Sequence, residues 1–220
     1  MNVRSIIDFV VDEHAKTKIF DVCYYQTVCR MRLEGHFNLL AALANDATGN
    51  IVEIGTNIGL GTMILAYGAR LRPPEEYEPV ISLDIVEEKT VFSNELAKKL
   101  DMGNVFCHVG TSHDLPKYIK KGALGFAYID GDHSFQGCLE DLENTASLLG
   151  IYGKLLLHDF PIPLDGWEDR GKEHGVAHAC YCFLKNHPEF SMIYLGNGLV
   201  IMGKYANNRW DFDRAMKSLE

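Results

Sequence analysis

The 220-residue sequence sets acidic and imidazole side chains at the ends of short apolar runs, where they could handle a cation or a proton. Glu53 lies at the end of IVEIG and Asp84 closes VISLD. Asp130, Asp132 and His133 follow GFAYI, and His158-Asp159 follows KLLL. Carboxylate oxygens are hard ligands suited to Mg²⁺, and a nitrogen ligand tilts a site towards Mn²⁺, Fe²⁺ or Zn²⁺. Asp130 and Asp159, on neighbouring strand ends, are therefore a candidate pair of metal ligands, with His158 either adding a nitrogen ligand or turned away to order the strand end. His133 is a candidate general base beside Asp130, because imidazole titrates near neutral pH. His174 and His178 stand four apart on an expected helix and share a face. They read first as solvated residues near a helix start.

A glycine turn, Gly55-x3-Gly59-x-Gly61, follows Glu53. A dinucleotide fingerprint would place a second glycine where Asn57 stands, so that backbone could approach a pyrophosphate. Glu53 adds negative charge at the same place. A cofactor bearing a positive charge and an amine suits this turn better than NAD. Asp84, after the next strand, is placed to accept hydrogen bonds from ribose hydroxyls.

The elements that must position these residues alternate along the chain. Helical spacing of apolar residues covers 3–14 and 18–46, with Ile6, Ile7, Val10, Val11, Leu39, Leu40 and Leu43 as core candidates. Strand-length apolar runs then occur at 51–55, 80–84, 105–109, 125–130 and 154–159. Helix-length stretches at 60–71, 88–101, 112–121 and 135–149 separate them. Apolar runs without alternation suit strands buried on both faces, and the helices supply the crossovers of a parallel sheet. A helix near 173–186 precedes two strands, 190–196 and 199–204, joined at Asn197-Gly198 as an antiparallel hairpin. The expected fold is α/β, with a seven-stranded, mostly parallel Rossmann-like sheet. The expected division is one domain: an N-terminal helical cap (1–48), a core (49–206) and a C-terminal tail (207–220). The segment 160–172 reads as a long loop.

Composition narrows the partners. With 21 basic against 30 acidic residues, the net charge of −9 supplies no basic surplus for gripping nucleic-acid phosphate. It equally disfavours anionic membranes. No apolar run approaches the roughly 20 residues of a membrane helix. The start of the sequence lacks a basic region followed by a clean apolar one, so no signal peptide is expected. The six cysteines form no Cys-x-x-Cys pair, consistent with reduced thiols and a cytoplasmic location.

VEIGTNIGLGT (52–62), SLDI (82–85), FAYIDGDHSFQGCLEDLENTASLLGIYGKLLLHDF (126–160) and HGVAHACYCFLKNHPEF (174–190) carry a resemblance. The chain resembles class I S-adenosyl-L-methionine (SAM) dependent methyltransferases, and most nearly the small O-methyltransferase-like group with an IDGDHS…HD pattern. It is also similar to antibiotic-sugar O-methyltransferases and cephalosporin-hydroxylase-like proteins. The resemblance implies that Glu53, Gly55, Thr56, Asn57 and Gly59 wrap the methionine part of SAM, with Thr62 at the helix start. Asp84 would hold the ribose, Thr111 and Ser112 would meet the adenine, and Asp130 would lie beside the transferred methyl group. It places His133 as catalytic base, and Asp130, His158 and Asp159 at a divalent-metal position. The implied reaction is methyl transfer to a hydroxyl of a small molecule such as a sugar, a phenol or a natural product. Relatives of this size pair through N-terminal helices, which implies a homodimer. Two rivals remain at this point: a nucleotide-binding oxidoreductase, which Glu53 and Asn57 disfavour, and a catalytically inactive SAM-binding protein.

Overall fold

The structure, a computed structural model, describes residues 1–17, 34–160, 173–196 and 198–204. Two N-terminal helices, α1 (Val3–Thr17) and α2 (Glu34–Asp46), precede the sheet. Strands β1 (Asn50–Ile54), β2 (Val80–Asp84), β3 (Val105–Val109), β4 (Leu124–Ile129) and β5 (Leu149–Leu157) run parallel. Helices α3 (Leu60–Ala69), α4 (Glu87–Lys99) and α5 (Phe135–Leu148) supply three of the connections. Helix α6 (Glu173–Asn186) leads to β6 (Phe190–Gly196) and β7 (Leu199–Lys204), which pair antiparallel. The strand order is β3-β2-β1-β4-β5-β7-β6, and β7 inserts antiparallel against β5.

Strand periodicity divides the core. Successive side chains point to opposite faces, so Ile51, Phe126 and Tyr128 join α1 to α4 on one side. Val52, Ile54, Ala127 and Ile129 join α5 and α6 on the other. Strands covered on both faces need no polar alternation, which is why β2 and β4 are buried along their whole length.

The elements depart from the sequence reading at two places. The helix expected over 112–121 is only a short 3-10 turn, Ser112–Lys117. Pro116 lies within it and removes a backbone donor, so an α-helical ladder cannot extend. Strand β5 begins at Leu149, directly after α5, rather than at 154. Gly150 and Gly153 dilute the strand signal there. Of the helix expected over 18–46, the part described is Glu34–Asp46; residues 18–33 lie outside the described residues, as do Trp167 and most of the expected loop. Among the described residues no helix is long and apolar enough to cross a membrane.

Candidate active site

Order reverses between β1 and β4, because the chain runs outwards from β1 through β2 to β3 and then returns to β4. Ligands of open α/β sheets bind outside the carboxyl ends of strands at such a switch point. A cleft of about 850 Å³ opens there, lined by Glu53, Gly55, Thr56, Asn57, Asp84, Thr111, Asp130, His133, His158 and Asp159 among others.

Its floor is built by register. Glu53 lies opposite Ser82 on β2 and Tyr128 on β4. One Glu53 carboxylate oxygen accepts hydrogen bonds from the Thr62 and Ser82 hydroxyls, and Thr56 Oγ1 lies 2.7 Å from Ser82 Oγ. Glu53 is fully buried, and that desolvation pushes its pKa up to about 8 despite the two hydroxyls. Thr62 therefore serves the floor from within and is absent from the cleft lining.

The turn after β1 brings backbone against backbone. Gly55 has φ +96°, and a Cβ there would stand 2.2 Å from the Asp130 carbonyl oxygen. Asn57 adopts φ 48° and donates its backbone N–H to Asp84 Oδ2 at 3.0 Å. Asp84 Oδ1 accepts from the Val86 N–H at 2.9 Å, and Lys89 Nζ stands 3.6 Å from Oδ2. Gly59 caps α3 in the left-handed region.

Beyond Tyr128 the ionisable groups converge. The Asp130 N–H donates to the Ile54 carbonyl and the His158 N–H to that of Ile129, so β1, β4 and β5 end side by side. Ligand atoms of Asp130, His133 and Asp159 lie within 4.8 Å of one another. His133 Nε2 stands 3.6 Å from Asp130 Oδ1 and 3.4 Å from Asp159 Oδ2, yet it is buried without a hydrogen-bond partner. His158 Nδ1 lies 3.0 Å from Asp130 Oδ1 and 3.4 Å from Asp159 Oδ1. Asp159 holds φ 52°, a left-handed conformation uncommon for a non-glycine residue.

Charge coupling dominates this cluster. Burial works to raise the Asp130 pKa, but His133 and His158 outweigh it and hold the carboxyl well below the usual range. Burial likewise pulls His158 down, and Asp130 and Asp159 overcome it, raising the imidazole to about 10. His133 is raised, first of all by Asp130. His36 of α2 faces the same cluster, with its ring 4.9 Å from that of His158 and its Nε2 3.4 Å from the Tyr128 hydroxyl. Burial lowers His36 to about 4.

The sequence-predicted residues thus gather at one cleft, with three of them, Gly59, Thr62 and Ser112, standing apart from its lining. Thr62 lies beneath the floor, and Ser112 is buried against Asn144 at 3.0 Å. His178 is exposed, with its ring on Phe135. Sequence reasoning missed His36, Tyr128, Lys89 and Asp141 as lining residues. Tyr128, two before Asp130 on one strand, shares its face by period two and could have been found. Asp141 interrupts the apolar stripe Cys138-Leu142-Thr145 of α5, a usable signal. No pattern marks His36.

Residues 52–160 match a family model described as a methyltransferase domain. The fold recurs in the cofactor-bound Rv0187 from MTB, with TM-score 0.71 at 15% identity over 92% of this chain and 91% of that one. It recurs in the O-methyltransferase from Bacillus cereus in complex with SAH, with TM-score 0.63 at 20% identity over 91% and 90%. A third likeness is TomG from Streptomyces achromogenes, an O-methyltransferase involved in tomaymycin synthesis, in complex with SAM, with TM-score 0.69 at 15% identity over 91% and 90%. These likenesses define the class I methyltransferase fold. The domain match spans the whole glycine turn and the strand-end cluster.

Proposed function

We propose that the protein transfers the methyl group of SAM to a hydroxyl oxygen of a small molecule, with a divalent cation held by Asp130, His133 and Asp159. The observation that carries this reading is the His133 imidazole. Its Nε2 is buried without a hydrogen bond, with only two carboxylate oxygens facing it at ion-pair distances of 3.4 and 3.6 Å. Buried polar atoms without partners are costly, and a cation among these three groups would satisfy them all. Two carboxylates and one imidazole suit a hard to borderline divalent ion such as Mg²⁺ or Mn²⁺.

In this reading the glycine turn and Glu53 hold the methionine part of SAM, which supplies an electrophilic methyl group. Asp84 orients the ribose with the oxygen lone pairs left by its two backbone amides. A bound divalent cation lowers the pKa of the acceptor hydroxyl. His158 fixes Asp130 through the contact at 3.0 Å, which supports it as a positioning residue rather than a fourth metal ligand. Holding the acceptor oxygen in line with the methyl group is the main task of the site. The N-terminal helices are proposed to cap the acceptor side, where α2 brings His36 and Phe37 to the cleft wall.

A second reading rests on the same nitrogen. Without a cation, His133 Nε2 is the proton acceptor for the hydroxyl, as the sequence suggests. One nitrogen cannot do both at once, so the two readings separate by experiment. Calorimetric titration of chelator-treated protein with SAM is expected to give saturable binding, and NAD none. Subsequent titration with Mn²⁺ is expected to show one site that His133→Ala removes. Mn²⁺ uptake equal in wild type and variant, or none in either, overturns the cation reading and leaves His133 as base. Absence of SAM binding overturns both.

A further inference from the structure

Both oxygens of the Asp130 carboxylate are held by neighbouring side chains. His158 Nδ1 stands 3.0 Å from Oδ1, and the Tyr128 hydroxyl donates to Oδ2 at 3.1 Å. Tyr128 precedes Asp130 by two residues on the same chain run, so period two turns both side chains to one face. A carboxylate only accepts, so the single phenol proton is committed to it. The phenol oxygen keeps its lone pairs and can take a donor in turn. The side chain that faces it is His36, whose Nε2 stands 3.4 Å away.

His36 comes from α2, outside residues 52–160, yet it reaches both side chains that hold Asp130. Its ring lies 4.9 Å from that of His158 and 6.0 Å from that of Tyr128, at interplanar angles of 84° and 75°. Burying a polar ring costs free energy unless it is hydrogen-bonded, and the contact with Tyr128 offsets that cost. Burial also keeps the imidazole neutral, with its pKa lowered to about 4. A neutral imidazole carries one N–H and one lone pair. Because the Tyr128 proton goes to Asp130, the His36 proton must sit on Nε2. The direction of the chain is thereby set, from His36 through the Tyr128 oxygen to Asp130 Oδ2. Linked hydrogen bonds of this kind polarise one another.

We propose that His36 is a positioning residue for the cation site: acting through the Tyr128 hydroxyl, it holds the Asp130 carboxylate in the orientation that faces His133 and Asp159. The inference rests on the reading that Asp130, His133 and Asp159 hold a divalent cation. It adds that the N-terminal helix α2, and not the sheet alone, sets the geometry of that site. His158 secures one oxygen from β5, and His36 secures the other from α2 by way of β4.

A double-mutant cycle read by Mn²⁺ affinity tests this on chelator-treated protein. Tyr128→Phe deletes the bond to Asp130 and is expected to weaken Mn²⁺ binding about tenfold, as loss of a partner that orients a metal ligand does. His36→Phe keeps an aromatic ring but removes the donor, and is expected to weaken binding about threefold, the effect of one neutral hydrogen bond. His36→Gln, whose Nε2 can donate at a similar reach, is expected to bind within about twofold of wild type. In a Tyr128→Phe background, His36→Phe is expected to change nothing further, because His36 acts only through the hydroxyl. Circular dichroism checks that each variant is folded; should His36→Phe not fold, His36→Met, which also lacks a donor, takes its place. Wild-type affinity in His36→Phe overturns the proposal and assigns His36 to packing. So does a loss in His36→Gln equal to that in His36→Phe, or the same loss from His36→Phe with and without the Tyr128 hydroxyl. Wild type that takes up no Mn²⁺ overturns the cation reading, and the inference with it.

Discussion

Gly55→Ala is expected to be among the most damaging single substitutions in the chain, and its cost can be worked from the geometry. The new Cβ would stand 2.2 Å from the Asp130 carbonyl oxygen, whereas ordinary contact begins at 3.4 Å. One of the two strands must therefore retreat by about 1 Å. Neither can do so freely. The Gly55 N–H donates to the Leu83 carbonyl at 2.8 Å, and the Asp130 N–H donates to the Ile54 carbonyl at 2.9 Å. Placing a Cβ at positive φ costs about 1–2 kcal/mol, and losing one of these hydrogen bonds costs about 1 kcal/mol more. A loss of about 3 kcal/mol should lower Tm by about 10 °C for a domain of this size. Urea and thermal unfolding followed by circular dichroism will measure it. Gly35→Ala is the control: it lies in α2, lacks a positive φ, and meets nothing within 4 Å. It is expected to be neutral or to stabilise by up to about 1 kcal/mol. If Gly55→Ala unfolds at the same urea concentration as Gly35→Ala, the close approach of β1 to β4 is refuted.

The remaining expectations concern other parts of the fold. Glu53 has a folded pKa of about 8 against 4.5 unfolded, so the folded chain holds the extra proton between them and stability falls as pH rises through that window. Glu53→Gln should remove this slope, and urea midpoints at pH 5, 6.5 and 8 should converge or diverge from wild type accordingly; a pH-independent difference would contradict the buried acid. Ser134→Ala removes the oxygen that accepts the Gly137 N–H at the start of α5 and should cost about 1 kcal/mol by urea titration. Phe126→Ala opens a cavity between β4 and the N-terminal helices and should cost about 3–5 kcal/mol; a loss below about 1 kcal/mol would mean that this layer is loosely packed.

Much of the architecture was readable because strand burial and helix spacing are local properties. VISLD, VFCHV and the hairpin FSMIYLG/LVIMGK occupy the strands expected of them. The misreadings fell where one residue overrode a favourable run, as Pro116 did in the short 3-10 turn, or where glycines diluted a strand, as in β5. At the site, strand-end position was enough to single out Glu53, Asp84, Asp130, His158 and Asp159. The resemblance that supplied Thr62 and Ser112 could not distinguish a side chain facing the cleft from one packed behind its wall, where both of these lie.

The sequence by itself determined a parallel sheet, a glycine turn and acids and imidazoles at the strand ends, because period, turn chemistry and residue type are written locally. Only the tertiary structure decided which of them meet. Parallel register set Glu53 against Ser82 and Tyr128, and left one nitrogen of His133 without a hydrogen bond between two carboxylates. It also brought His36, from outside the motif-bearing stretch, against His158. Those contacts join residues far apart in the chain, and they follow from strand order and crossover direction, which no local pattern encodes.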